Sequence, residues 1–140
     1  MLAKVIASCL YLASQTYQVP PEVMIGIMSV EGGRVGQAVA NTNGSYDLGP
    51  MQINTIWIPE LAKYWKVSEG TAAKWVRDDP CTNLNVAAWI LRQHINETGS
   101  LSTAIAYYHS RTPHRGKSYK QKVVAALRKK GLLRLKDEKE

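Results

Sequence analysis

Between Pro20 and Gly33 the chain places Val23, Met24, Ile25, Ile27, Met28 and Val30 around all sides of one short segment. Proline suits the first helical turn and Glu22 suits the positive end of the dipole, so the segment reads as a helix starting at Pro20-Pro21. A helix that is apolar all round must be enclosed by other elements. The paired glycines Gly32 and Gly33 stop it, because glycine takes left-handed conformations without steric cost. Glu31 is thereby left in the last turn of a buried helix. Desolvation and the negative end of the dipole both disfavour its charged form, so its pKa should rise. A carboxyl group kept neutral in this way can serve as a general acid. The alternative is an exposed helix-terminal glutamate with ordinary chemistry.

Enclosing such a helix takes a sizeable core, and 140 residues with 45% hydrophobic and 21% charged side chains provide one. Disordered and fibrous chains are excluded by that composition, and no apolar run approaches a membrane span. The net charge of +7 is unevenly distributed. Residues 1–110 carry 7 basic and 8 acidic side chains, whereas residues 111–140 carry 11 and 3. That basic end would meet a polyanion such as nucleic acid, anionic lipid or a carboxylate-rich wall polymer, or else be a solvated last helix.

The remaining punctuation predicts a mainly α protein. Leu2, Val5, Ile6, Cys9, Leu10, Leu12 and Ala13 recur at helical spacing, which would turn Cys9 to the core. The stretch around Lys4 to Leu10 mimics a secretory signal, but eight residues before Cys9 are too few for one. Residues 34–50, with Gly36, Gly44, Gly49, Asn41, Asn43 and Asp47, read as loop or short hairpin. Pro50 would open a short helix through Met51, Gln52 and Ile53, and Pro59 another through Trp65. Ser68 would cap a segment to Val76, Asp79-Pro80 would launch a helix from Cys81 to about Glu97 with Gly99 as its stop, and Ser100 to His109 would form another. A basic loop, Ser110 to Gly116, would precede a last helix capped by Ser118, burying Val123, Val124 and Leu127 and ending at Gly131. One domain over residues 1–131 and a charged tail over 132–140 are expected.

Cys9 and Cys81 are the only cysteines. They are either two buried thiols or a bond closing a long loop, worth about 4 kcal/mol in an oxidising compartment. His94, His109 and His114 lack the i, i+4 pairing of a helical zinc site, so no metal is expected, and no cofactor.

The run Asn41-Thr42-Asn43-Gly44-Ser45-Tyr46-Asp47-Leu48-Gly49-Pro50-Met51-Gln52-Ile53-Asn54 joins amides, a carboxylate and tight turns, a surface able to read sugar hydroxyls and N-acetyl groups. With Ile27-Met28-Ser29-Val30-Glu31-Gly32 before it, this run resembles the soluble lytic transglycosylase (SLT) family of peptidoglycan-cleaving enzymes. The likeness is greatest to the small members that accompany conjugation and type III or type IV secretion. It extends over about residues 5 to 127. Glu31 takes the place of the acid in the family's Glu-Ser motif, with Gly32 for serine. Gly49-Pro50-Met51-Gln52-Ile53 matches Gly-Leu-Met-Gln-Ile with one change, and Ala106-Tyr107-Tyr108-His109-Ser110 matches Ala-Tyr-Asn-x-Gly only in part. Tyr119 looks like the later tyrosine that precedes a valine-rich helix.

The resemblance implies a single lysozyme-like helical domain with a short loop or β-hairpin region after the catalytic helix. It implies cleavage of the MurNAc-β-1,4-GlcNAc bond of peptidoglycan glycan strands, the sugar's own 6-hydroxyl closing a 1,6-anhydro ring. Glu31 would be acid and then base. Met51 and Gln52 would line the cleft beside Gly49, with Tyr107 and Tyr119 placed to contact sugar or Glu31. Ser45 to Asn54 also resembles the signature of animal c-type lysozymes, in which the aspartate is the second carboxylate. A retaining muramidase using Glu31 and Asp47 is therefore the hydrolytic alternative. In the small SLT enzymes the helix starting like Asp79-Pro80-Cys81 carries a cysteine bonded to the first helix, which implies a Cys9–Cys81 disulfide and a periplasmic or cell-envelope location, with any signal peptide removed or left out of this chain. Secretion-system components are the implied protein partners, and the chain is expected to be monomeric. A non-catalytic wall-binding assembly module is a second rival, suggested by the incomplete third motif. Nucleic-acid binding through the last helix is a third; no helix-turn-helix glycine signature accompanies its charge, and no nucleic-acid partner is expected.

Overall fold

In the computed structural model, which describes residues 1–133, the buried helix sits where its composition requires, between the first helix and the last. It is α2 (Pro21–Glu31), entered through the extended Pro20 and stopped at Gly32 with φ 62°. Val23, Met24 and Ile27 are buried, and so is Gly26, where a Cβ would lie 3.0 Å from the Leu127 side chain. That glycine lets α7 (Pro113–Lys129) lie close along α2.

The longest helix, α5 (Pro80–Thr98), runs through the core and buries Leu84, Val86, Ala87, Ala88, Ile90 and Leu91. It starts as its sequence predicts: Asp79 accepts a hydrogen bond from the Cys81 N–H, Pro80 occupies the first turn, and Gly99 ends the helix at φ 68°. Around it pack α1 (Leu2–Tyr17), α4 (Glu69–Asp78) and α6 (Leu101–His109), while α3 (Ile58–Trp65) packs on α4. The Ser68 and Ser100 hydroxyls accept from Thr71 and Thr103 N–H, capping α4 and α6. Cys9 and Cys81 form a disulfide that ties α1 to the start of α5.

Between α2 and α3 the glycine and Asx residues form a small antiparallel sheet in the order β1-β2-β3: β1 (Ala38–Ala40), β2 (Tyr46–Leu48) and β3 (Ile53–Asn54). Ala38 pairs with Leu48 and Ala40 with Tyr46, and Asp47 pairs with Asn54. The hairpin turn is closed by Asn43, whose Oδ1 accepts from the Ser45 N–H, with Gly44 at φ 85°. The expected mainly α domain with a hairpin after α2 is the observed one.

Three local expectations need correction. Pro50 opens no helix. Gly49 and Gln52 both have positive φ, 67° and 52°, and the Met51 N–H is taken by the Asn83 side chain, so residues 49–52 form a turn that feeds β3. The last helix starts at Pro113, five residues before Ser118, because a proline at the first helical position outweighs an interior serine. The apolar spacing of α1 is only half used: Leu10 and Ala13 are buried with Ile6 and Cys9 partly covered, but Leu2, Val5 and Leu12 are exposed, since α1 packs on α5 and α2 along one side alone. Apart from Leu132 and Leu133, the expected tail lies outside the described residues.

Candidate active site

Glu31, at the end of α2, opens into a cleft of about 940 Å³ between the hairpin and the helices α5 and α6, with Arg115 of α7 at its edge. Burial raises the Glu31 pKa from 4.5 to about 6 against the opposing effect of Tyr119, with the nearby charge of Asp47 adding to the rise. Tyr119, from α7, donates its hydroxyl proton to Glu31 Oε2 at 2.7 Å. The His109 ring lies flat against Tyr119 with centroids 4.8 Å apart, and burial beside the Glu31 carboxylate keeps the Tyr119 phenol protonated far above neutrality.

The turn after β2 is held against the end of α2 by small residues and one buried amide. At Gly33 a Cβ would meet the Gly49 carbonyl at 2.1 Å and Gln52 Nε2 at 2.6 Å, so only glycine admits the turn there. Gln52, in the left-handed region, donates from Nε2 to the Gly49 carbonyl at 2.9 Å, and its side chain faces the cleft. Asn83 of α5 is fully buried and uses its whole side chain: Nδ2 donates to the Leu48 and Val76 carbonyls at 2.8 and 2.9 Å, and Oδ1 accepts from Met51 N–H at 2.9 Å. A Cβ at Gly49 would fall 2.4 Å from that amide.

The residues singled out in the sequence therefore divide into two groups. Glu31, Asp47, Gln52 and Tyr107 line the cleft. Gly49 and Met51 lie behind it: Met51 is fully buried, so its side chain belongs to the core and not to the cleft wall as expected, because the turn points it inward while its carbonyl accepts the Tyr108 hydroxyl at 2.7 Å. Tyr108 stands where the resembled motif has asparagine. Asp47 on β2 accepts from Asn54 Nδ2 at 3.0 Å, which fixes its carboxylate in the cleft.

Sequence reasoning missed the opposite wall. Trp57, from the 3-10 turn Thr55–Trp57, meets the buried His94 at 6.1 Å, and His94 meets Tyr107 edge-on at 5.8 Å. Arg111 lies 4.8 Å over the Tyr107 ring and forms a two-point pair with Glu97, both bonds 2.8 Å, fastening the loop after α6 to α5. Burial, reinforced by Arg111, lowers the His94 pKa, so this wall presents neutral aromatic edges at neutral pH. The signal was there: His94 lies four residues after Ile90 on the apolar stripe of α5.

The family model of the transglycosylase SLT domain matches residues 8–128, and the chain belongs to that family. Among its relatives is the invasion protein IagB of Salmonella typhimurium strain SL1344, 31% identical over 128 residues that cover 88% of this chain and 77% of that protein. The IagB of Salmonella typhi is 30% identical over the same shares.

Proposed function

We propose that the protein is a peptidoglycan lytic transglycosylase that cleaves the MurNAc-β-1,4-GlcNAc bond with Glu31 as its one essential carboxylate. The observation that carries this reading is a carboxyl group with pKa raised to about 6, held by Tyr119 at 2.7 Å on the floor of a saccharide-sized cleft. Protonated Glu31 gives its proton to the bridging oxygen as the bond from that oxygen to the muramyl anomeric carbon breaks. Its carboxylate then takes the proton of the same sugar's 6-hydroxyl, whose oxygen closes on the anomeric carbon. The proton returns to Glu31, no water is consumed, and a 1,6-anhydro end results. Tyr119 holds the carboxylate in place through both steps. Gln52, Tyr107, Trp57 and the amides of the hairpin offer sugar contacts.

A retaining muramidase is the second reading, favoured by Asp47, which shares the cleft and raises the Glu31 pKa. Family membership, the relatives' description as invasion proteins and the disulfide support a role in the periplasm or cell envelope, opening the wall for a secretion or conjugation apparatus. The test is cleavage of purified sacculi by the wild type and by Glu31→Gln. The wild type should release muropeptides, and the variant should lose about a hundred- to ten-thousandfold in rate. A variant as active as the wild type would remove Glu31 from the mechanism.

A further inference from the structure

The cleft is not the only cavity that opens on Glu31. A second one, of about 390 Å³, lies on the α7 side of the carboxylate and is lined by Glu31, His109, His114, Arg115, Ser118 and Lys122. His114, Ser118 and Lys122 follow one another at i, i+4 and i+8, so a single face of α7 builds its wall. Arg115 and Lys122 form no ion pair or side-chain hydrogen bond among the described residues, unlike Arg77 and Arg111, which are matched to acids. Both cations lie close enough to His109 to depress its pKa. Glu31 is the one acid in this pocket, whereas the cleft also holds Asp47 and Glu60. Glu31, His109 and Arg115 line both cavities, so whatever fills the basic one must sit beside the reacting bond.

A neutral saccharide backbone has no use for unmatched cations. The nearest anionic chain to a muramyl glycosidic bond is the short acidic peptide attached to that same sugar. We propose that the basic pocket of α7 binds a carboxylate of this stem peptide, with Arg115 and Lys122 as its cationic partners, so that the protein engages glycan that carries stems in preference to stripped glycan. The inference rests on the transglycosylase reading and names its substrate more narrowly.

Calorimetric titration tests it with tetrasaccharides of alternating GlcNAc and MurNAc, with and without stem peptides, using Glu31→Gln protein so that the ligand survives. Stem-bearing glycan should bind about tenfold more tightly, a preference that Lys122→Glu in the same background erases. Lys117→Glu, an equal charge change on α7 at a residue that does not line the pocket, should keep it. Equal affinity for the two glycans, a preference that survives Lys122→Glu, or its loss in both variants would overturn the proposal. Failure of the catalytic reading would show elsewhere, as a wild type that releases no anhydro product while the affinity difference remains measurable.

Discussion

At the scale of single residues, Glu31 has a measurable effect on stability. Its folded pKa lies above its unfolded value, so the native state holds the proton more tightly and stability falls as pH rises from about 4.5 through 6. The penalty is fully present above that window and amounts to about 2 kcal/mol. Glu31→Gln should therefore unfold at higher denaturant concentration than the wild type at pH 7.5, and the gain should vanish below pH 4.5. Urea titrations across pH read this directly. Tyr119→Phe removes a donor that favours the ionised carboxylate, so the Glu31 pKa should climb above about 6 and the alkaline limb of the activity profile should move up with it. Carboxyl-carbon NMR of the variant measures that shift. Glu31 was legible because an apolar helix stopped by glycine leaves few places for its last side chain. Met51 was not, since a motif gives the order of residues and not which way a turn points them.

At the scale of elements, the turn between β2 and β3 depends on Asn83. Asn83→Ala would strand the Leu48 and Val76 carbonyls and the Met51 N–H in the interior, at a cost of roughly 3 kcal/mol or more. Gly49→Ala strains the same turn through its φ of 67° and its contact with Asn83. The two substitutions should therefore be less than additive, which a double-mutant cycle in thermal unfolding checks. Helix ends that carry their own chemistry were readable: Ser68, Asp79, Ser100 and Gly99 act where the sequence puts them. The 49–52 turn was not, because the residue that overrules Pro50 lies on α5, more than thirty positions along the chain. Ser118 misled for a simpler reason: Pro113 already supplied a helix start.

At the scale of the molecule, the disulfide fastens α1 to α5, and Arg92 adds hydrogen bonds to the Tyr17 and Gln18 carbonyls at the other end of α1. No α1 residue lines the cleft. Cys9→Ala with Cys81→Ala should thus lose about 4 kcal/mol of stability in the chain-entropy picture, yet cleave normally below its lowered melting temperature. Unfolding and activity measured on one preparation separate the two effects. The domain class was legible because each amphipathic segment names its own buried face; the exposed side of α1 was not, since spacing shows where apolar residues recur and not how much of a helix its neighbours cover. Mass spectrometry of muropeptides released from sacculi reads the chemistry at Glu31 from its products. Products ending in 1,6-anhydroMurNAc are expected. Products with reducing MurNAc ends would contradict the transglycosylase chemistry, placing water and Asp47 in the reaction.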